Sequence, residues 1–556
     1  MKHFKRAAAM LLAVVLSLCL AVTAFAADDT TKYDKGNLTV TGSGLYVPGA
    51  NGATGEGKEV TAILMFTANA SKKNDAAADA NNEFDSYTLN EYWAAFFKDA
   101  SRFEAVKKAG NYTGSGEISR DALSDASVAY VESLRDNDTA MAKLAHDAQK
   151  WVRAHSSTFE GLVKKQKAQQ VSDDADKTKG TATFTELTAG YYLVFPEGGS
   201  TGDGNRGTDA ILVNVPKNGD KTEVTIKSKF PTVDKQVSNN KTDYKDNTTA
   251  QVGDTVTFKL TAKVPDMTDY TTYKFVFHDT LSNGLAYDAG TVKVTIGGTE
   301  VTKEGNYTVN EPTGESKELT VTFADLTKVT DATAGKDIVV TYTAKITKDA
   351  VTTKPATNKA YLEYSNNPGT DELGKSNPDE SKVYTYDINI FKYYKGEGNT
   401  ETGLANATFK LTSSEESTST AIELVKEDGA GLVYHVKGDN ETGAVSEVTT
   451  GADGKITIKG LKAGTYYLHE TIAPTGYNKL KKPIKIEITV ADGNYTTPSY
   501  KVDDKANTGN TIKVENVKGV MLPETGSIGT IGLTALGVAV VLLGVFAPRK
   551  KKKENR

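Results

Sequence analysis

Two parts of the sequence each place a lysine, a carboxylic acid and an asparagine in otherwise apolar, strand-like segments. In each set the lysine stands in the first predicted strand of a domain, the asparagine in the last, and the acid between them. The two sets are Lys235, Asp279 and Asn358, and Lys392, Glu470 and Asn516. An amine that attacks the carboxamide carbon in such a place forms an amide bond and releases ammonia.

Burial supplies the protonation states that this reaction needs. An apolar environment disfavours charge, so it lowers the pKa of a lysine and favours the neutral, nucleophilic amine. The same environment raises the pKa of a carboxyl group, which can then donate a hydrogen bond to the amide oxygen and carry protons as ammonia leaves. We expect Asp279 and Glu470 each to assist a single self-reaction, so the chain is not predicted to be an enzyme.

The segments around both acids resemble domains of bacterial pilins and adhesins. The run from Tyr466 to Tyr477 is similar to the E-box of collagen-adhesin B-type domains. Phe277 to Leu281 resembles the acid-bearing strand of fimbrial D2-type pilin domains, which are related to collagen-adhesin A modules. Both families form a spontaneous isopeptide bond between the lysine and the asparagine, and the resemblance implies the same here. The alternative for each set is three solvated polar residues.

The first domain lacks this arrangement. Its run Gly190 to Phe195 parallels the segment that leads to Glu470, but Phe195 stands in the place of the acid. Its first strand, Leu38 to Thr41, has no internal lysine. We predict no isopeptide bond in this domain.

The C-terminus carries a pentapeptide, an apolar run and a basic tail in that order. Ile528 to Ala547 is almost entirely apolar and Arg549 opens the basic cluster. About 20 apolar residues can cross a bilayer as a helix, and a basic cluster behind them is the usual cytoplasmic stop. The pentapeptide is Leu522, Pro523, Glu524, Thr525 and Gly526.

This order resembles the cell-wall sorting signal of Gram-positive surface proteins. In that family a sortase cleaves between the threonine and the glycine, here Thr525 and Gly526, and passes the threonine carbonyl to an amine. The alternative is an ordinary C-terminal anchor with a chance pentapeptide.

A lysine near the end of the first domain is the candidate acceptor. Leu212 to Asn218 is similar to the pilin motif, in which a valine-rich strand leads to Tyr-Pro-Lys and the lysine attacks the sortase-bound threonine of the next subunit. Here Val215 replaces the tyrosine, and the upstream tryptophan is missing. We predict Lys217 as the linking residue. The alternatives are Lys221, Lys227 and Lys229, or an exposed turn lysine without this role.

The N-terminus has the features of a secretory signal peptide. Basic residues precede the apolar segment Ala7 to Val22, and Ala24 to Ala26 is a small-x-small cleavage site. The single cysteine, Cys19, lies inside this segment, so the mature chain is expected to have no disulfides. The net charge of −5 is small for this length and argues against nucleic acid as a partner.

We predict a mainly β fold of tandem immunoglobulin-like (collagen-adhesin A/B type) β-sandwiches, because apolar and polar residues alternate in runs such as Asp254 to Val264. The segment from Leu89 to Lys167 instead has helical spacing, which predicts a helical insertion in the first domain. The predicted divisions are a signal peptide (1–26), an N-terminal domain (27–229, insertion about 84–170), a D2-type domain (230–384), a collagen-adhesin B-type domain (385–518) and a sorting signal (519–556, with LPETG at 522–526 and a transmembrane helix at 528–547).

Together these features predict the major shaft subunit of a covalently polymerised surface pilus. Its expected partners are pilin-type and housekeeping sortases, copies of itself, accessory pilins, peptidoglycan and a host ligand. The alternative is a monomeric wall-anchored adhesin, or a minor tip or base pilin, with the helical insertion as its only candidate binding region. No cofactor or metal site is predicted. Calcium binding is an alternative for Asp/Asn-rich loops such as Asn366 to Glu380, which more often are only solvated.

Overall fold

The computed structural model describes most of the chain between residues 35 and 519. The described ranges are 35–48, 55–69, 86–172, 175–198, 210–216, 221–226, 230–313, 316–351, 354–366, 368, 371–429 and 431–519. The predicted signal peptide and the predicted sorting signal lie outside these ranges.

Domain 1, as described over 35–226, is two β-sheets with a helical layer. Its strands are Lys35–Gly42 (β1), Tyr46–Val47 (β2), Glu56–Gly57 (β3), Glu59–Asn69 (β4), Ser86–Leu89 (β5), Val163–Lys167 (β6), Gln169–Gln170 (β7), Gly180–Thr188 (β8), Gly190–Pro196 (β9), Ile211–Val215 (β10) and Lys221–Thr225 (β11). One sheet has the order β11-β1-β8-β7 and the other β10-β9-β4-β5, with β6 paired to β4 and β2 paired to β3.

The helices of domain 1 lie between β5 and β6, within the predicted insertion. They are Ala94–Phe97 (α1), Phe103–Ala109 (α2), Arg120–Ser133 (α3), Asp138–Ala154 (α4) and Ser156–Phe159 (α5), preceded by a 3₁₀ turn at Glu91–Trp93. Ser119 and Asn137 cap α3 and α4, because each side chain accepts a hydrogen bond from a backbone N–H of the first turn. The helices pack through buried Trp93, Phe96 and Phe97, whereas Tyr92 is 45% exposed.

Domain 2, residues 230–384, is a sandwich of two sheets. Its strands are Val233–Ser238 (β12), Asn247–Thr249 (β13), Thr255–Lys263 (β14), Phe275–Leu281 (β15), Leu285–Tyr287 (β16), Lys293–Ile296 (β17), Thr299–Glu300 (β18), Thr308–Asn310 (β19), Glu318–Phe323 (β20), Asp337–Ile346 (β21), Ala356–Ser365 (β22), Leu373–Lys375 (β23) and Asp379–Tyr384 (β24), with 3₁₀ turns at Leu326–Lys328 and Lys348–Val351. The first sheet has the order β12-β14-β21-β17-β18 and the second β13-β24-β22-β15-β20-β19.

Domain 3, residues 385–519, repeats the two-sheet arrangement. Its strands are Tyr386–Lys395 (β25), Glu401–Gly403 (β26), Thr408–Thr412 (β27), Leu424–Lys426 (β28), Val433–Val436 (β29), Val448–Thr449 (β30), Lys455–Leu461 (β31), Gly464–Ile472 (β32), Ile484–Ala491 (β33), Asn494–Val502 (β34), Lys505–Asn507 (β35) and Thr511–Glu515 (β36), with a 3₁₀ turn at Glu397–Asn399. One sheet runs β26-β25-β31-β29-β28 with β36 beside β25, and the other β30-β27-β32-β33-β34-β35.

Domains 2 and 3 share one hydrophobic core, whereas domain 1 has separate cores. A single cluster of buried side chains runs from Val233 in domain 2 to Val514 in domain 3. At their junction Val252 N–H donates to Gly460 O at 3.0 Å and Lys462 Nζ contacts Asp254 Oδ2 at 2.9 Å. Domains 2 and 3 are therefore expected to behave as one cooperative unit.

Polar contacts join domain 1 to domain 2. Lys58 Nζ donates to Tyr364 OH at 2.8 Å, and Lys150 Nζ reaches Asp269 Oδ1 at 2.5 Å. Burial lowers the pKa of Lys58 to about 8.

The fold-class prediction is corrected at the C-terminus. It included a transmembrane helix over 528–547, residues that lie outside the described ranges. The longest helix among the described residues is Asp138–Ala154, with 17 residues, shorter than the roughly 20 that a bilayer span requires. In the part of the chain that the structure describes, no helix combines the length and the apolar character that crossing a membrane demands. The predicted transmembrane helix is therefore not part of the fold that the structure describes.

The separation of the cores predicts two calorimetric transitions for the secreted region. Leu38→Ala empties a buried site in domain 1 and should lower the stability of that transition alone, by about 2–5 kcal/mol. The matched substitution Leu468→Ala, at a position that is equally buried in domain 3, should lower only the other transition. Scanning calorimetry measures both effects. A single transition that both variants shift would contradict the division into domain 1 and a unit of domains 2 and 3.

Candidate isopeptide sites

In domain 3 the predicted lysine, acid and asparagine lie together in the core. Lys392 Nζ hydrogen-bonds Asn516 Oδ1 and lies 3.1 Å from Glu470 Oε1. Asn516 Nδ2 donates to the same Glu470 oxygen at 3.0 Å, and Leu480 N–H donates to Glu470 Oε2 at 2.8 Å. The side chains of Lys392 and Glu470 have no exposed area. The amine, the amide and the acid thus form one closed group.

Strand pairing places these residues. Lys392 lies in β25, which pairs in parallel with β36, and Asn516 directly follows β36 with its N–H bonded to Tyr393 O at 2.9 Å. Glu470 comes from β32 in the opposite sheet. In β25, Ile388, Ile390 and Lys392 are all buried, so the lysine occupies an inward position of an alternating strand.

In domain 2 the predicted residues also meet between the two sheets. Lys235 Nζ donates to Asp279 Oδ2 at 2.6 Å, and both side chains are almost completely buried. Asn358 is fully buried on β22, which pairs with β15 so that Asp279 faces Ala360 and Leu281 faces Asn358. Asp279 and Asn358 are therefore diagonal neighbours on one face of the sheet.

A tyrosine that the sequence analysis did not select completes the domain 2 group. Tyr342 OH donates to Asp279 Oδ2 at 2.6 Å and accepts from Asn358 Nδ2 at 2.5 Å. It lies on β21, in the sheet that also carries Lys235, and its ring is buried beside Phe258. One feature of the sequence could have identified Tyr342: its hydroxyl lies on a strand face otherwise lined by isoleucine, valine and alanine. A buried tyrosine hydroxyl usually bonds a polar partner.

Burial shifts the protonation equilibria of these groups. Loss of solvent lowers the pKa of Lys235 and of Lys392, which favours the neutral amine in both domains. Burial also raises the pKa of Asp279, which favours its protonated form. In the described part of the chain, Asp279 Oδ1 and Asn358 Oδ1 have no hydrogen-bond partner. A proton on Asp279 Oδ1 would supply the donor that the amide oxygen lacks.

The structure differs from the sequence prediction in the position of Asn358. The asparagine was predicted on the last strand of domain 2, but β23 and β24 follow β22. β24 pairs with β22 and places Asp379 Oδ2 2.7 Å from the backbone nitrogen of Lys235.

Domain 1 contains no comparable group among its described residues. Its buried polar and charged side chains are Thr39, Thr61, Arg102, Ser124, Ser127, Gln149 and Glu197, which include neither a lysine nor an asparagine. Phe195, in the place of the acid, is buried in the helical core.

The predicted linkage residues fall largely outside the described ranges. Leu522, Pro523, Thr525 and Gly526 lie beyond residue 519, and Lys217, Lys227 and Lys229 fall in two gaps. Lys221 is described and forms an ion pair with Glu223 at 2.5 Å. No cluster of three or more His, Cys, Asp or Glu side chains suited to a metal ion occurs among the described residues.

Pro216, which precedes Lys217 in the sequence, lies far from domain 2. Its carbonyl oxygen packs against Gly36 near the start of β1, so closely that a Cβ on Gly36 would lie 1.9 Å from it. The opposite end of β1 bonds Ile226, on the path into domain 2. Gly36 and Gly42 are about 20 Å apart along an extended strand. Pro216 thus marks the outer end of domain 1.

Three family models match separate parts of the chain. Residues 252–368 match the Gram-positive pilin backbone subunit 2, Cna-B-like domain, and residues 389–506 match the SpaA prealbumin-like fold domain. Residues 515–556 match the LPXTG cell wall anchor motif. The chain thus carries two domains that match Gram-positive pilin and SpaA models, followed by a cell wall anchor motif. The immunoglobulin-like label of the fold prediction is corrected to prealbumin-like for domain 3.

Known proteins with similar sequences include a streptococcal surface protein and a fimbrial subunit. The chain is 25% identical over 457 residues to the trypsin-resistant surface T6 protein of Streptococcus pyogenes, a match that covers 67% of the chain and 81% of the relative. It is 25% identical over 332 residues to fimbrial subunit type 2 of Actinomyces naeslundii, covering 55% and 59% respectively. Among solved structures, the major pilin SpaA of Corynebacterium diphtheriae is 18% identical, with a TM-score of 0.42 and coverage of 86% of this chain and 99% of the SpaA chain.

The hydrogen bonds of Tyr342 predict a domain-specific effect of its removal. Tyr342→Phe keeps the ring but deletes the bonds to Asp279 and Asn358, each of about 0.5–1.5 kcal/mol. Cross-linking in domain 2 should slow by about 10- to 100-fold, since about 1.4 kcal/mol is a factor of ten. Intact mass followed over time after cell-free synthesis measures the rate.

The cross-link of domain 3 serves as the internal control, because Tyr342 contacts none of its residues in the described structure. An unchanged rate in domain 2 would show that the hydroxyl takes no part in the reaction.

Proposed function

We infer that this chain is the shaft subunit of a sortase-polymerised surface pilus, anchored to the cell wall. The observation that carries this inference is the presence, on one chain, of a backbone-pilin domain at 252–368 and an LPXTG anchor motif at 515–556. A shaft subunit needs both a body that bears load and a signal that sortase reads. We propose further that the fibre ends on peptidoglycan, carries accessory pilins and supports adhesion.

The polymer joint is proposed to be an amide bond between Thr525 and Lys217 of the next subunit. Sortase holds the Thr525 carbonyl as a thioester, and the lysine amine attacks it and displaces the sortase cysteine. The position of Pro216 supports this joint, because it lies at the outer end of domain 1 while the chain leaves domain 3 at the far end of β36. Bonds between these two points give a linear, head-to-tail fibre.

Each subunit is proposed to close two internal cross-links, Lys235–Asn358 and Lys392–Asn516. The neutral lysine Nζ attacks the asparagine Cγ, the bond from Cγ to Nδ2 breaks, and ammonia leaves. Asp279 or Glu470 polarises the carbonyl and carries a proton from the attacking amine to the leaving nitrogen. The contacts support this chemistry in domain 3, where the amine touches the amide oxygen and the acid touches both partners.

The cross-links would redirect force around most of each domain. In domain 3, force enters along β25 to Lys392, crosses to Asn516 and leaves past β36, so residues 393–515 carry none of it. In domain 2 the covalent path bypasses residues 236–357 and continues through β22 and β24 into domain 3. In the chain-entropy model, closing loops of order 100 residues contributes about 4–5 kcal/mol per domain.

Intact-mass spectrometry tests the cross-links. The secreted wild-type chain should be lighter than its sequence by two ammonia molecules, because each bond releases one. Asp279→Ala and Glu470→Ala should each restore one ammonia by removing a proton carrier. Asp379→Asn is the matched control, because Asp379 accepts hydrogen bonds from the backbone nitrogens of Lys235 and Glu380 and both cross-links should still form. A wild-type chain of full mass would refute the cross-links.

The polymer joint is tested by Lys217→Ala in the native host, with blots of wall extracts. The high-molecular-weight ladder should disappear, because no other amine would replace the acceptor. Lys221→Ala is the control and should leave the ladder intact. Ladders that persist in Lys217→Ala would exclude this lysine, and a wild type without ladders would favour a monomeric wall-anchored adhesin.

A further inference from the structure

The end of domain 3 that faces away from domain 2 exposes large apolar side chains. β25 starts beside domain 2, and the parallel strand β36 ends with Glu515 beside Tyr393, so the chain leaves at the far end. Val517 there is 66% exposed and Ile472, which ends β32, is 58% exposed. They are the two most exposed large hydrophobic side chains among the described residues.

Exposed lysines lie beside these apolar residues. Lys479, Lys481 and Lys482 belong to the loop after β32, and Lys518 follows Val517. Backbone bonds tie the loop to the C-terminal segment: Asn478 N–H donates to Val517 O at 3.0 Å and Gly519 N–H donates to Gly476 O at 2.8 Å. We call this surface the end patch: Ile472, Val517, Lys479, Lys481, Lys482 and Lys518.

Two acids of the described chain near this end are already paired with other lysines. Glu515 lies 3.0 Å from Lys395, and Glu401 lies 2.8 Å from Lys513. The end patch is therefore an apolar surface with a cationic rim, which is the character of a contact for an acidic partner.

The covalent joint limits which molecule can cover the end patch. Residues 520–525 separate Gly519 from Thr525, and six extended residues reach about 20 Å. If Thr525 is bonded to Lys217 of the next copy, the outer end of domain 1 of that copy is held within this distance. Large apolar side chains left exposed at such a joint mark an interaction surface.

The segment that leads into the outer end of domain 1 carries charge opposite to that of the end patch. β1 begins there at Lys35, and the preceding segment 27–34 carries Asp28, Asp29 and Asp34 against a single lysine, Lys32. This acidic segment leads directly into the part of domain 1 that the joint brings to the lysines of the end patch.

We propose that the end patch is the docking surface for the outer end of domain 1 of the next copy, with the acidic segment 27–34 against its lysines. This proposal rests on the proposed function, since it requires the Thr525 joint. The contact makes each joint a packed interface rather than a flexible tether. It sets the angle between subunits, which the covalent bond alone leaves free.

Single-cysteine variants test the docking. Cys19 is the only cysteine and lies in the predicted signal peptide, so Ile472→Cys and Val517→Cys each introduce one thiol into the mature chain. Both positions are exposed, so these changes should not disturb folding. Val445→Cys is the matched control, because Val445 is 39% exposed in domain 3 but lies in the segment that contacts domain 2 through Asp439 and Glu441.

Wall extracts from the native host are treated with a fluorescent maleimide before denaturation, and labelling of ladder bands is compared with that of unlinked subunits. The thiols at 472 and 517 should react at least about tenfold more slowly in the ladder, since a packed interface excludes water. The thiol at 445 should react equally in both. Equal rates at 472 and 517 would overturn the docking while leaving the polymer intact. If the thiols at 472 and 517 react equally slowly in unlinked subunits, something other than the next copy covers the end patch, and the proposal is overturned.

A zero-length carbodiimide cross-linker tests the charge pairing. Ladders, but not unlinked subunits, should yield peptides that join Lys479, Lys481, Lys482 or Lys518 to Asp28, Asp29 or Asp34. Absence of these peptides from ladders would overturn the assignment of segment 27–34. A wild type that forms no ladder would refute the proposed function, and the docking with it.

Discussion

The burial of one lysine between a carboxylic acid and an asparagine is the interaction on which domains 2 and 3 depend. Removing an amine and a carboxyl group from water costs several kcal/mol per ion, even when they are paired. Lys235 and Lys392 are completely buried, and loss of solvent lowers the pKa of both. A core that keeps the two amines neutral avoids their share of that cost and at the same time prepares them to react. The covalent bond then removes the ionisable amine permanently.

In each domain, both sheets are needed to bring the lysine, the acid and the asparagine together. Lys392 and Asn516 come from neighbouring parallel strands, and Glu470 reaches them from the opposite sheet, so both layers must be assembled before the three side chains meet. In domain 2 the lysine and Tyr342 come from one sheet, and Asp279 and Asn358 from the other. The reaction is therefore a consequence of folding, and it fixes the packing that produced it. Domain 1 lacks such a group among its described residues and relies on aromatic packing around Trp93 instead.

Much of this could be predicted from the sequence because the relevant signals are local. The alternation from Asp254 to Val264 predicts a strand, and β14 spans Thr255–Lys263. A lysine at an inward position of an alternating strand is unusual, which is why Lys235 and Lys392 could be predicted as reacting residues from the sequence. The helical spacing of the insertion was also readable, but Tyr92, four residues before buried Phe96, is exposed while Trp93 is buried.

The sequence could not reveal what depends on distant pairing. Apolar and polar residues alternate only weakly in β24, and the segment before β24 has the composition of a linker. Nevertheless, backbone bonds fix β24 to β22 and β13. Tyr342 was missed because its partners, Asp279 and Asn358, lie in the other sheet and far away in the sequence. The end patch likewise could not be predicted, because the sequence does not show which apolar side chains stay exposed.

Single-molecule stretching of the secreted chain tests the central claim most directly. If Lys392 and Asn516 are bonded, pulling on the two ends cannot extend residues 393–515, and domain 3 should give no unfolding step while the Glu470→Ala chain does. Those residues would release about 400 Å of extended chain at ~3.3 Å per residue. A wild-type chain that lengthens by this amount would contradict the account.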